Sequence, residues 1–171
     1  MKVLVTAASR HGSTAEIAEA IGDVLQSRGF EVIVARPEDA GALSVFDAVV
    51  LGSAVYTGHW LEPGIGLARR IGTELAGRPV WLFSSGPVGD PSRKLVQQMG
   101  ADPVDLPGLL KATRAREHKI FPGKLDRHNV RGLQRAALLL FRSIEGDFRD
   151  WPAIREWAGT VADQLQAATA A

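Results

Sequence analysis

Apolar residues along the chain fall into two alternating rhythms. Val3 to Thr6, Val32 to Ala35, Phe46 to Leu51, Val80 to Ser84 and His118 to Phe121 are short continuous runs rich in β-branched and aromatic residues. Runs of this kind, bounded by Gly, Pro or Ser, read as strands buried on both faces, which is the habit of a parallel sheet. Between them the spacing changes to that of a helix. Ile17, Ala18, Ile21, Val24 and Leu25 repeat before Gly29, and Ile65, Leu67, Ala68, Ile71 and Leu75 repeat before Gly77. A last stripe, Ile154, Trp157, Ala158, Val161 and Leu165, follows Asp150 and Pro152, which are helix-start residues. Residues 100 to 117 are weakly periodic and proline-bearing, and read as loop with at most one short helix. The terminal AATAA is expected to fray.

Strand and helix in alternation predict an α/β fold with right-handed crossovers and a doubly wound sheet. Ligands of such sheets bind outside the carboxyl ends of the strands, so the turns after the first, third and fourth strands are the ones to inspect. The 171 residues form a single predicted domain, 1–171, with an insertion at about 123–149.

Composition narrows the chemistry mainly by exclusion. With 20 Lys and Arg against 19 Asp and Glu, the net charge of +1 produces no field that would select nucleic acid. The absence of cysteine removes disulfides, thiolate nucleophiles and iron–sulfur clusters, and no metal site is expected. The longest purely apolar run, Ala136 to Phe141, is far too short to span a bilayer, and the N-terminus lacks a signal-peptide core. These features predict a cytoplasmic location, extended by the basic helix described below to peripheral attachment at the inner face of the membrane.

The first turn, Ser9-Arg10-His11-Gly12-Ser13-Thr14, leads from a strand into a helix, where backbone N–H groups and the helix dipole converge on a spot that favours an anion. Ser9, Ser13 and Thr14 add hydroxyls. A second reading makes Ser13 and Glu16 an S-x-x-E capping box; the two readings are compatible. The chain has no G-x-x-x-x-G-K-[ST] motif and no G-x-G-x-x-G after the first strand, which disfavours triphosphates and dinucleotides. The second turn, Gly52-Ser53-Ala54-Val55-Tyr56-Thr57-Gly58-His59-Trp60, offers aromatic walls for a broad planar ligand. Tyr56 is the best of these, Trp60 is equally suited to packing in the core, and His59 is a candidate proton or hydrogen-bond donor. The third turn, Ser84-Ser85-Gly86-Pro87-Val88-Gly89, is small enough for its backbone to approach a ring edge.

The S-R-H-G-S-T turn resembles the flavodoxin phosphate loop, [ST]-x-T-G-x-T, with His11 in place of a threonine. Over nearly the whole chain, four features resemble the menaquinone-dependent protoporphyrinogen IX dehydrogenases of the flavodoxin-like family. They are the S-x-x-G-x-T loop, G-x-x-x-x-x-G-H-[WY] from Gly52 to Trp60, a long segment before the last helix, and D-W-x-x-[IV] from Asp150 to Ile154.

The resemblance implies a five-stranded parallel sheet of order 2-1-3-4-5, with helices on both faces and an extra helical insertion before the last helix. It implies FMN as cofactor, held at its phosphate by Ser9, Arg10, His11, Gly12, Ser13 and Thr14. Its ring would lie against Ser53, Ala54, Val55, Tyr56, Thr57, Gly58, Ser84, Ser85, Gly86, Pro87, Val88 and Gly89. It implies a reduced organic substrate such as a porphyrinogen, and a quinone or other electron acceptor as partner. Tyr56 and His59 are the catalytic candidates. An electron-transfer flavodoxin without its own organic substrate, and a non-enzymatic binding protein of the same fold, are the alternatives.

Within the insertion, at about 100° per residue, His128, Arg131, Arg135 and Arg142 share one sector while Leu133, Ala137, Leu140 and Ile144 lie opposite. Leu138 and Leu139 sit on or beside the basic sector. This helix near 128–145 reads either as packed on the domain with solvated arginines, as a peripheral membrane contact, or, through Arg127, Arg131 and Arg135, as a clamp for substrate carboxylates.

Overall fold

The computed structural model describes residues 1–86, 102–125 and 146–170. In chain order the elements are β1 (Lys2–Ala8), α1 (Ser13–Ser27), β2 (Glu31–Ala35), β3 (Ala48–Tyr56), β4 (His59–Trp60), α2 (Glu62–Glu74) and β5 (Val80–Ser85). They continue with α3 (Leu106–Thr113), β6 (Glu117–Phe121), β7 (Lys124–Leu125), β8 (Gly146–Asp147) and α4 (Trp151–Ala170), and two short 3-10 turns lie between β2 and β3. The five long strands form one parallel sheet in the order β2-β1-β3-β5-β6. Because β4 is only a hairpin return on β3, this is the expected 2-1-3-4-5 order.

Every central strand divides its side chains between two cores. Val3, Val5 and Ala7 of β1, Ala48 and Val50 of β3, and Trp81 and Phe83 of β5 meet Ile17, Ala18, Ile21 and Leu25 of α1 and Ile154, Trp157, Val161 and Leu165 of α4. The residues between them, Leu4, Val49, Leu51, Val80 and Leu82, meet Leu67, Ala68 and Ile71 of α2, together with Leu43, Phe46 and Leu109. Double-sided burial is why these strands read as unbroken apolar runs. Each fully buried aliphatic side chain contributes about 1.5–3 kcal/mol, so the two cores supply most of the driving force.

The helix ends follow local chemistry. Gly29 N–H bonds Gln26 C=O at 3.0 Å and Phe30 N–H bonds Leu25 C=O at 3.3 Å, a Schellman closure that also delivers Phe30 to the core. Asp150 caps α4 by accepting from Ala153 N–H at 3.0 Å. The helix α4 continues to Ala170, through most of the AATAA end. One expectation is corrected. The Ser13–Glu16 capping box does not form: Gly12, at φ 88°, is the N-cap and no side chain caps the helix. The basic helix expected near 128–145, with Arg127, Arg131 and Arg135, lies outside the described residues.

Candidate functional site

The carboxyl ends of β1, β3 and β5 bring the three turns to one edge of the sheet. In the first, the left-handed conformation of Gly12 suits glycine, and open space surrounds the place its Cβ would occupy. Ser9 Oγ accepts from Gly12 N–H at 3.0 Å, which folds the turn back on itself. The first intrahelical bond runs from Glu16 N–H to Gly12 C=O, and the N–H groups of the turn preceding it have no acceptor within the helix. Thr14 is fully buried here, and among the described residues its Oγ1 has no hydrogen-bond partner. A sealed hydroxyl without a partner costs about 1–3 kcal/mol.

The second turn is shorter than its sequence suggests. Gly52, Ser53, Ala54, Val55 and Tyr56 are strand, and Thr57-Gly58 is a two-residue hairpin that returns as His59-Trp60. Both central residues have positive φ, 50° and 83°, as a type I′ turn demands. For the β-branched Thr57 this is a strained conformation, and neighbouring groups hold it in place. Val104 N–H donates to Gly58 C=O at 2.8 Å, and Asp105 accepts from Trp60 N–H at 2.9 Å. Ser53 Oγ accepts from Leu61 N–H and donates to Ala54 C=O.

At the hairpin tip, Tyr56 is half-buried between the two turns. The Arg10 guanidinium lies 4.7 Å from its ring centre and the His11 ring 6.5 Å away. Burial pushes the Tyr56 phenol above its ordinary value, against the opposing pull of Arg10, so at neutral pH it remains a hydrogen-bond donor. His59 is exposed at the rim, its Nδ1 3.1 Å from an Asp105 carboxylate oxygen. Trp60 belongs to the core: it is buried and its Nε1–H donates to Ser84 Oγ at 2.8 Å. Of the two roles weighed for it, packing is the one it fills.

The third turn follows Ser84 and Ser85, both strand residues. Ser84 Oγ also lies 2.8 Å from His118 Nε2. Trp60 Nε1–H donates to the same oxygen, which keeps a second lone pair and a hydrogen of its own and so can pair with either tautomer of His118, while His118 Nδ1 lies 3.9 Å from an Asp102 carboxylate oxygen. Burial lowers the His118 pKa below the ordinary 6.5, against the opposing pull of Asp102. A depressed folded-state value means the neutral histidine stabilises the fold above about pH 6.5 and that this contribution is lost as pH falls below it. Urea midpoints at about pH 7.5 and pH 5 are expected to separate in the native protein. In His118→Gln, whose amide can still pair with Ser84, this part of the separation disappears; an unchanged separation would refute the assignment.

Gly86 N–H bonds Phe121 C=O at 2.9 Å and Gly86 approaches Val55, so the start of the third turn lies beside the second. Pro87, Val88 and Gly89 are outside the described residues. Arg149, Asp105 and His118 were missed in the sequence. None of them belongs to a turn motif, and each acts across a long sequence separation. Among the described residues, no His, Asp or Glu cluster could hold a metal ion, and no helix is long and apolar enough to cross a membrane.

Comparison with known proteins agrees with this architecture. The family profile described as "Flavodoxin domain" matches residues 4–151. A flavodoxin from the domain Archaea superposes with TM-score 0.65 at 17% identity, covering 97% of this chain and 99% of that one. A Streptococcus pneumoniae TIGR4 flavodoxin gives TM-score 0.61 at 16% identity, with 96% and 99% coverage. The rubredoxin oxygen:oxidoreductase of Desulfovibrio gigas also aligns, with TM-score 0.65 and 17% identity; there 99% of this chain covers 37% of that chain. No curated protein sequence matches. With the profile spanning most of the chain and the same sheet order beneath it, the protein belongs to the flavodoxin domain family, a family of FMN-binding proteins.

Proposed function

We propose that the chain is an FMN-dependent oxidoreductase of the protoporphyrinogen IX dehydrogenase type, taking electrons from a reduced organic ring and passing them to a quinone or similar acceptor. The buried, partnerless Oγ1 of Thr14 at the start of α1 carries the cofactor part of this reading. A hydroxyl sealed at that place, beside N–H groups with no helical acceptor, fits a phosphate that would complete its bonding. The residues to hold the phosphate are Ser9, Arg10, His11, Gly12, Ser13 and Thr14. The ring would lie against Tyr56 and the backbone of Ala54, Val55, Thr57, Gly58, Ser85 and Gly86; Pro87, Val88 and Gly89, expected beside it from the sequence, lie outside the described residues. Ser53 and Ser84 act behind it, because their hydroxyls are already engaged inside the protein.

When bound, FMN supplies hydride acceptance and onward electron transfer. The chain's own task is placement. Tyr56 presents a protonated phenol at the ring's flank, Asp105 and Val104 keep the hairpin from opening, and His59 stands at the rim where a substrate would approach. The alternative of an electron carrier with no organic substrate draws on the two flavodoxins whose full length this chain matches.

The purified protein is expected to be yellow, or to quench FMN fluorescence with a micromolar or tighter Kd. Loaded with FMN and kept free of oxygen, it is expected to convert protoporphyrinogen IX to fluorescent protoporphyrin, using menadione as acceptor, faster than a protein-free blank. A yellow protein that matches the blank would leave the carrier reading. A protein blind to FMN would overturn both.

A further inference from the structure

Arg149 is a charged side chain only 3% exposed, held by four different groups. Its Nε and Nη2 bind the two oxygens of Asp147 at 2.8 and 2.6 Å, and its Nη1 reaches Glu16 Oε2 at 2.6 Å and Ser13 C=O at 3.1 Å. Its guanidinium lies over the Trp151 ring at 4.5 Å. A bidentate pair with further bonds and a stacking partner is geometry that lysine cannot reproduce.

The two residues it takes from α1, Ser13 and Glu16, are the two ends of an S-x-x-E capping box. In that box Ser13 would be the N-cap, its hydroxyl accepting Glu16 N–H while the Glu16 carboxylate accepted Ser13 N–H. The structure shows a different start. Glu16 N–H goes to Gly12 C=O at 3.0 Å, the helix begins one residue earlier, and the Glu16 carboxylate is turned to Arg149. The sequence thus encodes two helix starts that compete for the same atoms. Only the observed one leaves the Ser13 hydroxyl and N–H clear of Glu16 and, among the described residues, open to an anion beside the unpartnered Thr14 hydroxyl.

We propose that Arg149 is a positioning residue that holds the open start of α1, keeping Glu16 out of the capping box so that phosphate can bind. The proposal rests on the FMN reading above, and riboflavin, which lacks the phosphate, separates the two. If the native protein binds FMN no better than riboflavin, the phosphate site itself fails, whatever Arg149 does.

With that difference established, Arg149→Met is expected to weaken FMN about tenfold, the scale of one helix cap, while leaving riboflavin affinity unchanged. Adding Glu16→Ala, which removes the competing cap, is expected to restore FMN affinity. Adding Asp147→Asn instead is expected not to. Restoration by Asp147→Asn, or none by Glu16→Ala, would overturn the proposal, because loss of charge balance or loss of folding would then be the cause. Glu16→Ala alone should bind FMN as the native protein does; a loss there would show that the ion pair itself is required and would equally overturn it. Should Arg149→Met not fold, Arg149→Lys takes its place with the same expected rescue by Glu16→Ala.

Discussion

Gly52→Ala is expected to destabilise the fold by about 3 kcal/mol, the upper end of the usual cost of overfilling a core. Gly52 pairs with Phe83 across β3 and β5, and a Cβ at Gly52 would come within 2.1 Å of the Phe83 ring. A ring on a free surface would swing away. This one is fully buried and confined by Phe121 and Trp157, with ring centres 6.1 and 6.3 Å distant. The added methyl must therefore displace three aromatic side chains or separate two central strands. Urea denaturation should show the loss as a lower midpoint at unchanged slope. The double variant Gly52→Ala with Phe83→Leu should recover part of it relative to Phe83→Leu alone. Wild-type stability in Gly52→Ala would mean that the ring has room the packing does not show.

Thr14→Val is expected to move stability and binding in opposite directions. Valine keeps the shape and removes a buried hydroxyl without a partner, so the FMN-free protein should gain about 1 kcal/mol. A hydroxyl bonded to a charged phosphate is worth about 1.5–3 kcal/mol, so FMN should bind about 10- to 100-fold more weakly. Riboflavin should bind unchanged. Calorimetric titration with both ligands, beside a thermal melt of the FMN-free protein, tests the three statements together. A loss of stability in Thr14→Val would mean that the hydroxyl already has a partner in the folded protein.

The five long strands and the stripe of α4 were legible because two-sided burial leaves an uninterrupted apolar signal and helical spacing leaves a periodic one. The candidate site was legible only as three turns. Gly52-Ser53-Ala54 looked like turn chemistry because small residues serve both loops and crowded strands. Here Gly52 is small to admit Phe83, and Ser53 is polar to tie down Leu61 N–H. Trp60 could be a wall or a core residue on sequence alone, and Ser84, two dozen positions away, decided it. The capping box was a sound local reading that a residue at the far end of the chain overrode. The short helix α3 was hard to see because Pro107 and Gly108 in its first turn obscure a single apolar face. Its use is to place Asp105 under the hairpin, a contact that no spacing rule encodes.

The small ladder of β7 and β8 pairs Lys124 with Asp147 and Leu125 with Gly146. It closes the chain on either side of residues 126–145 at a single gateway beside the sheet. Once such a gateway exists, the entropy of lengthening what passes beyond it grows only with the logarithm of its length, about 0.6 kcal/mol per doubling. Natural selection can therefore rewrite that stretch, in size and in chemistry, without renegotiating the two cores beneath it. A lineage could vary the chain between Leu125 and Gly146 while inheriting the same sheet edge and its three turns.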